Sequence, residues 1–394
     1  MRIKSFVRRV VKRALEPLFK TPSFQRNINL QLVPTVEKKR QKRVLISYVS
    51  LNDIDFKRAI HPNVFHINQM IQYFIKNDYC VDVCWHNDMN AYKTFIGEQY
   101  DVIIGFGKVY KQFCSNTEIK KRICFITENH PVTVLSNYSE RVEYFHQRHK
   151  EVPEKLSFPR TDNFDDKMFR MSTEGILMSS EFNAKNFQKD FNHLFLINAN
   201  ATINPSYFFD KVYVLNTVEQ CRYNLLWFGS SGLIHKGLDI LIDAIKEMPE
   251  YELHCYGIQD NEVKLYNKLK SPNVTNCGSI NVMSKQFIND VINKHNFMVF
   301  PSCSEGMSTA VATVMAHGII PIVTRECGFN NISCVIEIEN VEVETLKSLL
   351  LDVTKWPAEK IVDMRYNCYH YARDNYSLEH FDRQFGEIMD NILN

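Results

Sequence analysis

The sequence predicts two consecutive doubly wound α/β units with parallel sheets, facing each other across a cleft. Three observations carry this prediction. Short, near-continuous apolar runs rich in β-branched residues recur, as in "RVLISYVS" (43–50) and "FMVFPS" (297–302), the pattern of strands buried on both faces. Helical stretches separate them, as parallel strands require. The alternation runs through residues 43–200 and then starts again at 223. A chain of 394 residues holds two or three domains with real cores.

In chain order, "RVLISYVS" is followed by a polar loop and a helical pattern through "FHINQMIQYFIKN". Strands are then expected at "CVDVCWH" (80–86), "YDVIIGFG" (100–107), "RICFITENH" (122–130), "GILMSSEF" (175–182) and "HLFLINAN" (193–200). The second series comprises "YNLLWFGS" (223–230), the amphipathic helix 237–248, "YELHCYG" (251–257), "NVTNCGSI" (273–280), a helix near 284–294 and "FMVFPS". The small-residue helix of "CSEGMSTAVATVMAHG" follows, then "IIPIVTRECG" (319–328) and "SCVIEIE" (333–339). The last stretch, from "MRYNCYHYARDNYS" on, reads as one or two packing helices. These elements divide the chain into a segment 1–43, a first domain 44–215, a second domain 216–370 and a C-terminal helix 371–394 that packs back toward the first lobe. Ligands of such sheets bind beyond the carboxyl ends of the strands. The candidate loops are therefore those after 130, 229, 257, 280 and 302.

A net charge of +2 hides an asymmetry: residues 1–43 hold thirteen Lys/Arg and only Glu16 and Glu37 as acids. "MRIKSFVRRVVKRALEPLFK" gathers Ile3, Phe6, Val7, Val10, Val11 and Leu15 near one helical face. A basic amphipathic helix of this kind can lie on an anionic membrane surface, pack on the protein body, or serve as an arm for nucleic acid. No aromatic interleaving favours the last. No apolar run reaches the roughly 20 residues of a membrane span, and no signal-peptide core is present. The eleven cysteines form no C-x-x-C pair and no zinc spacing, and are read as buried free thiols of a reducing compartment. The expected location is cytoplasmic, peripheral on the inner face of the membrane if the first helix is surface-bound.

Two segments carry chemistry. In "WFGSSGLIHKG" (227–237) a strand meets a loop with Gly229, Ser230, Ser231, Gly232, Lys236 and Gly237. Glycines allow close approach of backbone N–H groups to an anion, and Lys236 adds a point charge. The loop is neither a P-loop nor G-x-G-x-x-G, and taken alone it is better explained as a structural turn with a solvated lysine. In "FMVFPSCSEGMSTAVATVMAHG", Ser308 or Thr309 can cap the helix, leaving N–H donors near Gly306 and Met307 for a diphosphate or sugar hydroxyl. Glu305 stands just outside. The small residues Ala310, Ala312, Ala316 and Gly318 suit close packing on a sheet.

Together the segments resemble the retaining, nucleotide-sugar-dependent glycosyltransferases of the two-Rossmann GT-B fold, and among them glycosyltransferase family 4. The matching residues are Gly229, Lys236, Gly237, Glu305, Gly306, Met315, Ala316, Gly318 and Pro321. The likeness spans about residues 44–390 and is strongest over 223–330. It implies a nucleotide-diphosphate sugar as co-substrate and no metal or other cofactor. It further implies catalytic roles for Lys236 and Glu305, and for His130 in "FITENHP" facing the donor sugar. Donor contacts would come from Gly229, Ser230, Ser231, Gly237, Gly257, Ile280, Gly306, Met307, Ser308, Thr309 and Thr313. Two departures stand out. Ser230 replaces the family's arginine, and Thr313 replaces its second glutamate, the ribose ligand.

The resemblance thus implies a hexosyltransferase of class EC 2.4, acting on a glycan or lipid-linked glycan in surface polysaccharide synthesis. The alternatives are a nucleotide-sugar epimerase of the same fold and a degenerate glycan-binding subunit. His61 and Asn63 are weaker acceptor-side candidates. The Asp-x-Asp of "NDIDF" (52–56) reads as a solvated turn, so no metal site is expected.

Overall fold

The computed structural model describes residues 24–25, 42–49, 62–150, 157, 159 and 161–394. The basic segment 1–23, His61 and the Asp-x-Asp turn lie outside the described residues. Two parallel sheets form the frame. The first contains β1 (Phe24–Gln25), β2 (Lys42–Tyr48), β3 (Tyr79–Trp85), β4 (Val102–Gly105), β5 (Lys121–Ile126), β6 (Glu174–Met178) and β7 (Leu194–Ile197), in the order β1-β3-β2-β4-β5-β6-β7. Only β1 runs antiparallel. The second contains β8 (Asn224–Phe228), β9 (Glu252–Tyr256), β10 (Val274–Asn276), β11 (Phe297–Phe300), β12 (Ile320–Thr324) and β13 (Ile336–Ile338), in the order β10-β9-β8-β11-β12-β13.

The apolar runs behave as their composition dictates. β4, β6, β11 and β12 are buried at every position, because helices cover both faces of the sheets. The expected strands and helices are present, most of the strands shorter by a few residues at their ends. β5, for instance, stops at Ile126, since His130 and Pro131 begin the helix Pro131–His149. Every cysteine is free, and nine of the eleven are buried.

The strand order reverses between β8 and β11 in the second sheet and between β2 and β4 in the first. At such a switch point adjacent loops diverge and leave a crevice. The loops that follow β8 and β11 carry Lys236 and Glu305. The chain ends in two helices, Ala358–Asn375 and Leu378–Leu393. Arg365 of the former is buried and donates to Gly318 O (2.6 Å). The latter meets the first unit, where Tyr73 donates to Asp390 (2.6 Å) and His66 stacks on Phe381. Among the described residues, no helix is long and apolar enough to cross a membrane.

Candidate active site

The loop after β8 is built around its own lobe. Gly257 adopts φ +94°, and a Cβ there would overlap Gly229 O, so a glycine is needed at 257 for the β8 and β9 exits to run side by side. The amide of Gly229 donates to Tyr256 O (3.1 Å). Beyond it, the N–H groups of Gly232 and Leu233 both donate to the buried carboxylate of Glu262, at 3.0 and 2.8 Å. A side chain of this lobe therefore fills the anion-binding bend that the glycines suggested. Ser230 and Ser231 are exposed. Gly237, at φ +68°, opens the helix Leu238–Lys246.

Lys236 then turns inward. Its Nζ donates to Glu305 Oε1, and its ammonium lies over the Phe300 ring. Glu305 also accepts from Ser302 Oγ (3.0 Å). The two side chains are 14% and 15% exposed, so the pair is mostly desolvated yet touches the crevice. Burial alone would lower the lysine pKa and raise that of the glutamate. The opposite charge, reinforced by the hydrogen bond, wins in both: Lys236 is raised and Glu305 lowered, and both stay ionised. His235 beside them is buried, and its pKa is pushed down to about 4 by burial and by the Lys236 charge. It is neutral near pH 7. Since a carbonyl only accepts, Nε2 carries the proton and donates to Ser304 O (2.7 Å). Cys303 N–H donates in turn to His235 O (2.9 Å), so residues 235 and 303–304 stitch the two loops together.

The loop after β11 is gripped from the other lobe. A Cβ on Gly306 would overlap Thr127 O and lie 3.0 Å from Met178 O, at the ends of β5 and β6. Ser179 Oγ donates to Gly306 O (2.6 Å), and Asn183 Nδ2 reaches Gly306 O (3.2 Å), Glu305 O (3.3 Å) and Glu326 O (3.2 Å). Asn137 and Arg141 of the helix Pro131–His149 donate to Cys303 O and Pro301 O, each at 2.8 Å. The same helix ends with Arg148, which pairs with Asp239 and Asp243.

Several predicted residues are used differently from expectation. His130 does not face Lys236 or Glu305. Its Nδ1 accepts from Val132 N–H (3.3 Å), and its Nε2 meets Asp190 (3.3 Å) among Phe169 and Phe187. Both ring nitrogens are thus engaged inside the first lobe, because a histidine before Pro131 serves as helix cap. The charge of Glu128, two residues earlier in the first lobe, adds a small further push upward on the Lys236 pKa. Thr313 is 3% exposed and its hydroxyl accepts from Thr202 N–H (3.0 Å), so it anchors the segment after β7. Met307 does likewise, its sulfur accepting from Ala199 N–H (3.2 Å). Ser308 occupies the cap position of the helix Thr309–Met315 without a side-chain capping bond; its own N–H donates to Cys327 O (3.2 Å). Thr309 is partly exposed at the head of that helix, and Ile280 packs half-buried near the end of β10. Among the described residues, no group of His, Cys, Asp or Glu is placed to hold a metal ion.

Sequence reasoning passed over Ser302, His235, Glu262, Ser179 and Asn183. The first two neighbour the motif residues and could have been suspected; the other three carry no local signal.

Residues 222–344 match the family model described as glycosyl transferases group 1. No curated protein matches the sequence. Three solved structures resemble the chain in fold. HepE of Anabaena, in complex with UDP and glucose, has a TM-score of 0.57 at 11% identity, covering 89% of this chain and 100% of that one. Sucrose-phosphate synthase from Thermosynechococcus elongatus has 0.59 at 12%, covering 90% and 99%. WaaG, a glycosyltransferase involved in lipopolysaccharide biosynthesis, has 0.56 at 14%, covering 88% and 99%. The chain thus shares the two-lobed fold of these structures, and within it residues 222–344 are similar to the glycosyl transferases group 1 family.

Proposed function

We propose that the chain is a retaining, metal-independent glycosyltransferase that moves a sugar from a nucleotide-diphosphate donor to a hydroxyl of a glycan or lipid-linked glycan. The observation that carries this reading is the Lys236–Glu305 ion pair, held with Ser302 at the switch point of the second sheet. The binding of UDP and UDP-glucose by HepE supports a nucleotide-sugar donor.

In this reading the diphosphate lies over the loops after β8 and β11. Cleavage of the sugar–phosphate bond places negative charge on the leaving oxygen, and Lys236 stabilises it electrostatically in a site with little water. The acceptor hydroxyl attacks the anomeric carbon from the face the diphosphate leaves, through an oxocarbenium-like transition state, and gives its proton to the departing phosphate. Configuration is retained. Glu305 has two jobs. It keeps Lys236 charged despite burial, and its carboxylate can accept hydrogen bonds from donor-sugar hydroxyls. With Ser230 in place of arginine and Glu262 filling the Gly232–Leu233 bend, Lys236 carries most of the positive charge contributed by this loop.

On the acceptor side, Glu128 in the loop after β5 is the candidate acid, its charge acting on Lys236. Domain limits near 44–215 and 216–370 belong to this reading, although β1 (Phe24–Gln25) and the first two residues of β2 join the first sheet from outside the first limit. The basic segment 1–20 on an anionic membrane surface would place the enzyme at the inner face of the cytoplasmic membrane, where surface polysaccharides are assembled on lipid carriers. The test is a thermal-shift screen of nucleotide sugars, followed by a transfer assay with the donor that stabilises the protein. Release of nucleoside diphosphate with an α-linked product from an α-linked donor supports the reading. An epimerised donor, or no donor binding at all, overturns it.

A further inference from the structure

The Glu305 loop belongs to the second lobe, yet first-lobe side chains fix its carbonyls. Asn183 is fully buried, and its amide donates toward Glu305 O, Gly306 O and Glu326 O. Its own carbonyl accepts from Asn129 Nδ2 (3.0 Å), and Asn129 accepts from His130 N–H (2.8 Å) and Asn186 Nδ2 (2.9 Å). A chain of amides therefore ties the end of β5 to the carbonyl groups around Glu305. Ser179 Oγ, which also accepts from Asn183 Nδ2 (2.9 Å), donates to Gly306 O at 2.6 Å. No side chain could replace the hydrogen of Gly306 while Thr127 O and Met178 O stay where they are.

We infer that Asn183 and Ser179 of the first lobe are positioning residues for Glu305 of the second, so that the carboxylate is presented to substrate only while the lobes are in contact. The inference rests on the glycosyltransferase reading for its functional meaning, but its geometry does not. The loop has few alternatives for support. Of its own lobe, residues 326 and 327 supply acceptors for the N–H groups of Glu305 and Ser308, each at 3.2 Å, His235 holds Ser304 O, and Lys236 and Ser302 hold the Glu305 carboxylate itself. Among the described residues, the backbone carbonyls of 305 and 306 accept hydrogen bonds only from across the interface, and a buried carbonyl without a donor is costly. Opening the lobes therefore strips the donors from these two carbonyls and loosens the backbone that carries Glu305, whereas the Lys236 loop keeps its Glu262 anchor.

Hydrogen exchange on the full-length chain tests this. Asn183→Ala and Ser179→Ala should each speed amide exchange across residues 303–309, about fivefold for the loss of one such bond, with exchange over 229–237 unchanged. In the transfer assay, kcat should fall at least tenfold while donor KM stays within about threefold, since a misplaced group costs turnover more than binding. The inference is overturned if exchange over 303–309 is unchanged, or if it rises equally in both loops with a parallel loss of Tm. Should Asn183→Ala fail to fold, Ser179→Ala decides, because it removes only a hydroxyl. Calorimetry with UDP on the wild-type chain separates the two readings. Failure of UDP and of every donor to bind sinks the glycosyltransferase reading, and leaves the exchange result to judge the positioning role.

Discussion

The two loops at the switch point of the second sheet hold one ion pair between them but are supported in opposite ways. The Lys236 loop is anchored inside its own lobe, by Glu262 on its N–H groups and by the Gly229–Gly257 contact. The Glu305 loop is anchored largely from outside, by Ser179, Asn183, Asn137 and Arg141 of the first lobe. The first loop thus takes the hydrogen-bond partners of its bend from its own lobe. The second acquires part of its shape from their meeting. In the proposed reaction a phosphate-binding charge can be permanent, whereas a group that orients the reacting sugar is best assembled only when acceptor and donor are enclosed together. The division of labour follows from which lobe provides the hydrogen-bond partners.

This contrast can be broken experimentally, beginning with the largest effect. Lys236→Met and Glu305→Gln should each lower transfer by roughly 10²–10³-fold, because each removes a charge from a desolvated site. The measurement is kcat with the identified donor, and near-wild-type rates in both variants would refute the assignment. Next, Gly306→Ala should reduce turnover by about 10²-fold by forcing the loop off Thr127 O, with a smaller change in stability. Equal turnover would mean that the lobes need not meet at this point. In the other loop, Glu262→Ala should cost about 2–3 kcal/mol in urea unfolding, because two buried N–H groups lose their acceptor, and should raise donor KM more than it lowers kcat.

The pH dependence tests the stitch between the loops. His235 has its pKa depressed by burial to about 4, below the ordinary value near 6.5. The folded state therefore binds the proton less readily than the unfolded chain. The contribution of neutral His235 is fully present above pH 6.5 and is lost as pH falls from 6.5 toward 4. At pH 5 the loss is about 2 kcal/mol, seen as a steeper fall of unfolding free energy in the wild type than in His235→Gln. A pH slope that is the same in both variants would show that the histidine is not held neutral. The smallest effect is expected at Thr313→Val, about 1 kcal/mol from one lost hydrogen bond to Thr202, with donor KM nearly unchanged. A large rise in KM there would restore Thr313 as a donor ligand.

Sequence reading reached Lys236 and Glu305 because each sits in a strand–loop–helix segment with glycines at the exit of a strand, and that pattern is local. His130 shows what such a local pattern leaves open. A histidine between a strand end and a proline has two available roles, substrate contact and helix cap, and only the positions of Val132, Asp190, Phe169 and Phe187 select the second. Thr313 is similar. As a departure from a family glutamate it invited a reading as a weaker ribose ligand, whereas its hydroxyl holds the segment following β7. Gly306 was read as a phosphate-approach glycine and proves to be where the opposite lobe docks.

By itself the sequence determined the parallel strands, their order along the chain, the two-unit division and the two loops that carry charge. Those properties depend on hydrophobic period and on glycine placement over ten residues or so. Only the tertiary structure decided which polar groups meet. Ser179 lies 127 positions from Gly306, and Glu262 lies 30 from Gly232. Hydrogen bonds and desolvation act over about 3 Å in space, and the chain folds brings such distant residues together without leaving a periodic trace in the sequence.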